Sequence, residues 1–211
     1  MCKRQLALVV SVALFAWSQG RVAAVVLTQL PSLAPRLDKG FVQDNTYKNA
    51  SLGLELTIDP TLKFGIPESK GDPGAPPRIV MIAAWGQLKP FSAREGTLFY
   101  ADSLAHYPGD QRSTNAYMRR VVRANETDGF KRIEGTPEGN LGGVLFARTD
   151  FSKKGPIYEA VLVKACETHA FVFVFSGSTR EAVNKLIAGT ELKLELSTSG
   201  CSSQTNGVSQ K

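Results

Sequence analysis

Three consecutive apolar segments in the C-terminal half constrain the fold of this chain most strongly. They span residues 143–151, 157–167 and 170–176, and short turns at residues 153–156 and 168–169 join them. Strands joined this closely pair antiparallel, because a parallel crossover needs a dozen or more residues. The sequence therefore predicts an antiparallel meander.

The third segment is the most apolar part of the predicted meander. Strand alternation places three aromatic side chains on one face (Phe171, Phe173 and Phe175) and two valines on the other (Val172 and Val174). We expect helices to cover both faces and to bury all five side chains. An open face would instead present an apolar groove to a partner.

The rest of the central region supplies further strands and two helices. Strands are predicted at residues 52–58, 78–85 and 192–196, the second of them buried on both faces, and residues 91–104 fit either a helix start or a strand. Helices are predicted at residues 113–124, capped by Ser113 or Thr114, and 178–188, capped by Ser178 or Thr179. Turn-forming residues predict a surface loop at 65–77 and a tight turn at 139–143. This grouping indicates an α+β domain, an antiparallel sheet of about five or six strands with helices packed on it.

Two stretches resemble the PsbP/Mog1-type fold, an α/β/α sandwich around an antiparallel sheet. Residues 47–54 (YKNASLGL) are similar to the first hairpin of exported members, and residues 170–175 followed by the helix from Ser178 are similar to their final strand and helix. The resemblance covers most of residues 46–196 and extends to uncharacterised exported bacterial proteins of that type. The chain departs from it after Pro60, where many members have a tryptophan and this chain reads TLKF. The resemblance implies an accessory or binding module.

The chain begins with the three parts of a secretory signal peptide. Lys3 and Arg4 precede an apolar run at residues 6–17, and small residues lead to a cleavage site after Ala24. The alternative is a buried N-terminal helix. Because the run is shorter than the roughly 20 residues that span a bilayer, the mature chain is not expected to cross a membrane. Cys2 precedes the run and is not in the position of a lipidated cysteine.

The predicted cleavage defines the remaining organisation. Residues 25–45 are predicted to be a linker or extended arm, residues 46–196 a single globular domain, and residues 197–211 a disordered polar tail. Residues 1–24 contain three basic residues and no acidic one, so cleavage lowers the formal net charge from +6 to +3. The densest basic cluster, Arg119, Arg120 and Arg123, lies on a predicted helix. This modest charge does not favour nucleic-acid binding.

Two cysteines remain after cleavage, Cys166 and Cys201. In an oxidising compartment they are expected to form a disulfide, and two unpaired thiols are the alternative. Asn49 and Asn125 lie in glycosylation sequons that matter only in a eukaryotic secretory pathway.

Few residues suggest chemistry. Cys166 with His169, or Ser176, provides a candidate nucleophile, although a disulfide at Cys166 would remove the thiolate. The two histidines, His106 and His169, are too few and too distant in sequence to indicate zinc, and no calcium loop is present. We therefore predict no catalytic, cofactor or metal site.

The resulting hypothesis is a non-enzymatic exported module, periplasmic or secreted, that contacts a protein or envelope component. The alternative is a small hydrolase or transferase that uses Cys166 and His169, or Ser176.

Overall fold

The computed structural model describes residues 39–65, 78–86, 95–105, 107–154, 157–195 and 201. Several predictions fall outside this part of the chain. They are the signal peptide (1–24), the first part of the arm (25–38), most of the surface loop (66–77), His106, and the tail except for Cys201.

The described part contains twelve strands and two α-helices. In chain order they are β1 (Phe41–Gln43), β2 (Thr46–Asn49), β3 (Leu54–Thr57), β4 (Leu62–Gly65), β5 (Arg78–Gly86), β6 (Gly96–Ser103), α1 (Thr114–Thr127), β7 (Lys131–Ile133), β8 (Glu138–Leu141), β9 (Val144–Lys153), β10 (Ile157–Ala165), β11 (His169–Gly177), α2 (Arg180–Ala188) and β12 (Glu191–Leu194). No described helix has both the length and the apolar character needed to cross a membrane.

The larger sheet has eight strands, all paired antiparallel. Its order is β4-β5-β6-β11-β10-β9-β7, and β8 pairs with β9 beside β7. The predicted meander is confirmed as β9, β10 and β11. The turn between β10 and β11 is centred on Glu167 and Thr168, one residue earlier than predicted, because the Cys166 amide donates to the His169 carbonyl at 2.8 Å. The ambiguous segment 91–104 contributes strand β6.

A second sheet of four strands, in the order β1-β2-β3-β12, packs against the larger one. The prediction of an α+β class is confirmed, but the prediction of five or six strands is wrong, since the sheets have eight and four. The additional strands, β1, β2, β4, β7 and β8, are only three or four residues long. β1 lies within the predicted arm, and its three residues are exposed.

The predicted strand 52–58 begins later than expected. Residues Ala50–Leu52 form one turn of 3-10 helix, and Gly53 follows with φ 57°, a left-handed conformation that glycine adopts easily. Asn49 caps this turn by accepting a hydrogen bond from the Leu52 amide, while its Nδ2 donates to the Tyr47 hydroxyl at 2.8 Å. Because Asn49 is only 1 % exposed, the folded chain does not present this sequon to solvent.

The two faces of the larger sheet carry separate cores. One face packs against the smaller sheet and α2 and contains Phe171, Phe173 and Phe175, all fully buried. The other face packs against α1 and contains Val161, Val163 and Val172. Of the five alternating side chains of β11, only Val174 is not fully enclosed.

Side-chain caps set the start of both helices. Ser113 accepts from the Ala116 amide at 3.2 Å at the start of α1, and Thr179 accepts from the Ala182 amide at 3.1 Å at the start of α2. Thr114, the alternative cap, instead accepts from the Ala165 amide and links α1 to β10. The start of α1 is therefore fixed both by its cap and by a hydrogen bond to the sheet.

Candidate functional site

The structure contains a disulfide between Cys166 and Cys201. Their Cα atoms are 4.5 Å apart, and 35 residues separate them in sequence. Both cysteines are buried in the core beneath the smaller sheet. In this form Cys166 carries no thiolate.

His169 lies beside this disulfide and is enclosed by apolar groups. Its ring packs edge-on against Phe171 with centroids 4.6 Å apart, and its Nδ1 is 2.9 Å from the Thr168 hydroxyl. Burial lowers the pKa of His169 from 6.5 to about 4, so the imidazole is neutral at pH 7. Its Nε2 is buried and has no hydrogen-bond partner among the described residues. No carboxylate hydrogen-bonds to the imidazole in that part of the chain.

Ser176 lies on the same strand as His169 but on the opposite face. Ser176 lies seven positions after His169 on β11, roughly 23 Å along an extended strand. Ser176 is paired directly with Glu159 of β10, and its hydroxyl donates to Glu159 Oε1 at 3.1 Å. Burial raises the pKa of Glu159 above 4.5, against the opposing effects of the Ser176 hydrogen bond and the charge of Lys153. The structure thus brings Ser176 to a carboxyl group and not to His169.

Among the described residues, one corner of the larger sheet is only partly covered. α1 packs mainly on β7, β9 and β10, so β4, β5 and β6 lie outside the area that it covers. There Trp85 is 48 % exposed, and Leu98 and Val174 are half-buried on the same face. We call Trp85, Leu98, Val174 and Ser176 the open corner.

Trp85 is held in place by its neighbour on the edge strand. The indole ring lies over Gly65, where a Cβ would clash with the ring atoms. The sequence predicted β5 to be buried on both faces, but Trp85 departs from this because, in the described part of the chain, the short strand β4 is the only strand beyond β5. The apolar run of residues 78–85 gave no signal for this exposure.

Two charged networks are structural rather than open to a ligand. Asp150, 4 % exposed, accepts two hydrogen bonds from Arg148 at 2.7 and 3.0 Å and lies 3.4 Å from Arg180, which ties β9 to α2. In the predicted basic cluster, Arg120 stacks on the Tyr107 ring at 3.6 Å and donates to the Gln111 carbonyl. Tyr117, whose pKa burial raises, donates to Asp102 at 2.6 Å and fixes α1 to β6.

Within the described residues no group of three or more His, Cys, Asp or Glu side chains is placed to hold a metal ion. His106, one of the two histidines considered for zinc, lies outside that part. The open corner and the Ser176–Glu159 pair therefore form the candidate functional site.

Comparison with known proteins assigns no family to this chain. No family profile and no curated protein matches it. Among solved structures, it is similar to a crystal structure of a protein from Bacteroides thetaiotaomicron VPI-5482, with a TM-score of 0.37 and 12% identity. The match covers 69% of this chain and 47% of that one, so this chain spans about half the length of the matched structure. A likeness at this level assigns neither a family nor an activity.

Proposed function

We propose that this protein is a non-enzymatic exported module that contacts a protein component of the cell envelope through the open corner of its larger sheet. The observation that carries the proposal is the exposed indole of Trp85 beside half-buried Leu98 and Val174. Apolar side chains that adjoin on a surface are typical of interaction sites, and tryptophan is the residue most enriched among binding hot spots.

The position of the indole supports this interpretation. The ring is already seated over Gly65 and therefore loses little conformational freedom when a partner packs on it. A surface side chain without such a support would be ordered only on binding, which weakens affinity.

The polar end of the open corner would fix the orientation of a bound peptide. Gly96 lies between Trp85 and Ser176 in the register, so no side chain separates the indole from the Ser176–Glu159 pair. A mostly apolar surface with one hydrogen-bonding group at its edge suits a peptide segment that buries an apolar side chain and places a polar group at the pair.

Export is part of the proposal and rests on the N-terminal sequence, with Lys3 and Arg4 before an apolar run and cleavage after Ala24. N-terminal sequencing of the protein recovered from its own host tests this directly. A mature chain that begins at or within a few residues of Val25, in the periplasmic or secreted fraction, is expected. Recovery of the uncleaved chain from the cytoplasm would contradict export.

Site-directed photo-crosslinking in the native host tests the contact. A photoreactive amino acid at Lys63, which is exposed and lies opposite Trp85 in the register, should form a discrete protein adduct. Trp85→Ala should weaken the contact by about 2 kcal/mol, the loss typical of a hot-spot tryptophan. The concentration that gives half of the maximal adduct should therefore rise about 30-fold.

Leu145→Ala is the matched control, because Leu145 is 47 % exposed, close to the 48 % of Trp85, but lies on β9 across the sheet. It should leave the adduct unchanged. Gly65→Ala, which displaces the indole without removing it, should give an intermediate loss. Equal adduct yields for Trp85→Ala and Leu145→Ala would refute the open corner as the contact site.

A further inference from the structure

A cleft of about 420 Å³ lies at the end of the larger sheet, away from the open corner. β7, β9 and β10 meet there, and the chain enters from α1 through Gly129, whose φ of 85° makes the turn possible. The lining consists of Gly129, Lys131, Ser152, Lys153, Lys154, Ile157 and Tyr158. Three of these seven residues are lysines, and none is acidic.

The strand register places a cation and two hydroxyls side by side in the cleft. Lys131 of β7 is paired with Ser152 of β9, and Ser152 with Tyr158 of β10. Directly paired residues project to the same face, with Cβ atoms about 5 Å apart. The row therefore presents an ammonium group, an aliphatic hydroxyl and a phenol within the span of one small ligand.

These donors are free to bind. Within the described residues, the side chains of Lys131, Ser152, Lys154 and Tyr158 make no hydrogen bond or ion pair. Lys131 and Lys154 are exposed, while Ser152 and Tyr158 are half-buried. Donors that the fold does not use, gathered in one concavity, are typical of a ligand site.

The third lysine is fixed at the rim. Lys153 Nζ donates to the Asp128 carbonyl at 2.7 Å and lies 4.9 Å from the Phe130 ring centroid. Its ammonium group also lowers the energy of the Glu159 carboxylate, which is on the opposite face of β10 from Tyr158. The Lys153 ammonium group therefore lies on the opposite face of β9 from Ser152, and its hydrogen bond to Asp128 holds it there.

We propose that this cleft is a binding site for a phosphate-class oxyanion. The two exposed lysines, Lys131 and Lys154, match the charge of a dianion, and lysine binds phosphate as a point charge that needs no planar geometry. None of the seven described residues that line the cleft is an arginine, the side chain whose fork matches a planar carboxylate. Hydroxyl donors from Ser152 and Tyr158 would satisfy two further oxygens of a tetrahedral anion.

The test is a titration of the full-length protein with inorganic phosphate at constant ionic strength. The NMR chemical shifts of the Ser152 and Tyr158 backbone amides report binding. We expect saturable shifts with a dissociation constant of about 1 mM or lower. Lys131→Gln and Ser152→Ala should each weaken binding, the first by about tenfold, the effect of one charge-assisted hydrogen bond. Lys193→Gln is the matched control, since Lys193 is an exposed lysine on β12, and it should leave binding unchanged.

Acetate at the same ionic strength measures the preference for a tetrahedral anion. Equal binding of acetate and phosphate, or phosphate binding that Lys131→Gln does not weaken, would overturn the proposal. So would shifts that spread over the whole surface.

Vesicles distinguish the source of the phosphate group. Binding to phosphatidylglycerol vesicles and not to phosphatidylcholine vesicles, reversed by inorganic phosphate and lost in Lys131→Gln, indicates a lipid headgroup. Phosphate binding without vesicle binding indicates a soluble ligand. Because Trp85→Ala leaves this cleft intact, it should bind phosphate normally, so failure of this proposal and failure of the open-corner contact are distinguishable.

Discussion

Removal of the Cys166–Cys201 disulfide should lower stability by an amount that the loop length sets. The bond closes a loop over a sequence separation of 35. In the chain-entropy model such a loop contributes about 4 kcal/mol, because the open unfolded chain gains conformations that the closed one lacks. For a domain of this size each kcal/mol shifts Tm by roughly 2–4 °C, so Cys201→Ser should melt about 8–16 °C below the wild type.

Thermal unfolding followed by circular dichroism, with and without dithiothreitol, measures this loss. Reductant should bring the wild type to the Tm of Cys201→Ser and should leave the variant unchanged. Cys166→Ser should cost a similar amount, and the double variant should cost no more than either single variant, because all three lose the same bond. Losses that add in the double variant would refute the reasoning. So would a wild-type Tm that reductant does not change, once a count of free thiols has shown that the disulfide is reduced.

Three further substitutions probe the core and its buried ionisable groups. Phe173→Ala should cost about 3–5 kcal/mol in urea unfolding, because the ring is fully buried against Phe99 and Phe146. Since the folded His169 binds its proton only near pH 4 and the unfolded one near 6.5, its contribution to stability should fall by roughly 3 kcal/mol as the pH falls from 6.5 to 4, measured as the difference between the wild type and His169→Phe. Glu159 has a raised folded pKa, so its own contribution to stability falls as the pH rises from 4.5 through that pKa, opposite in sign to the contribution of His169. Relative to the wild type, Glu159→Gln should therefore gain stability between about pH 4 and pH 7.5, which the difference between their urea midpoints would show.

The strands and helices that the sequence predicted correctly are those whose own residues carry a clear local pattern. The meander strands β9, β10 and β11 are long and apolar, and both helices carry a cap and an apolar face, so a local pattern identifies each one. β7 has no such pattern, since two of its three residues, Lys131 and Arg132, are exposed. It is a strand because β9 offers it a free edge, and charged residues on an edge strand also discourage pairing between molecules.

The candidate site was harder to predict because it depends on register. A turn centred on Thr168 and His169 would pair Glu159 with Ser178, whereas the observed turn pairs it with Ser176. The difference of one residue in the turn moves the pairing by two, so the faces were predicted correctly and the partners were not. The exposure of Trp85 was missed for another reason. The apolar periodicity of a strand does not show how close that strand lies to the edge of its sheet.

Cys201 shows how a local bond changes what composition predicts. Residues 197–211 are polar and small, and such a segment lacks the apolar area to offset its ordering entropy, which is about 1–2 kcal/mol for each backbone residue. A disulfide acts differently, since it acts on the unfolded chain and needs no apolar neighbours. Its contribution of about 4 kcal/mol exceeds the cost of ordering one residue, so Cys201 is buried at 4 % exposure within a segment whose composition predicts disorder. The two predictions are therefore compatible, because composition sets the average behaviour of a segment and a covalent bond fixes a single position in it.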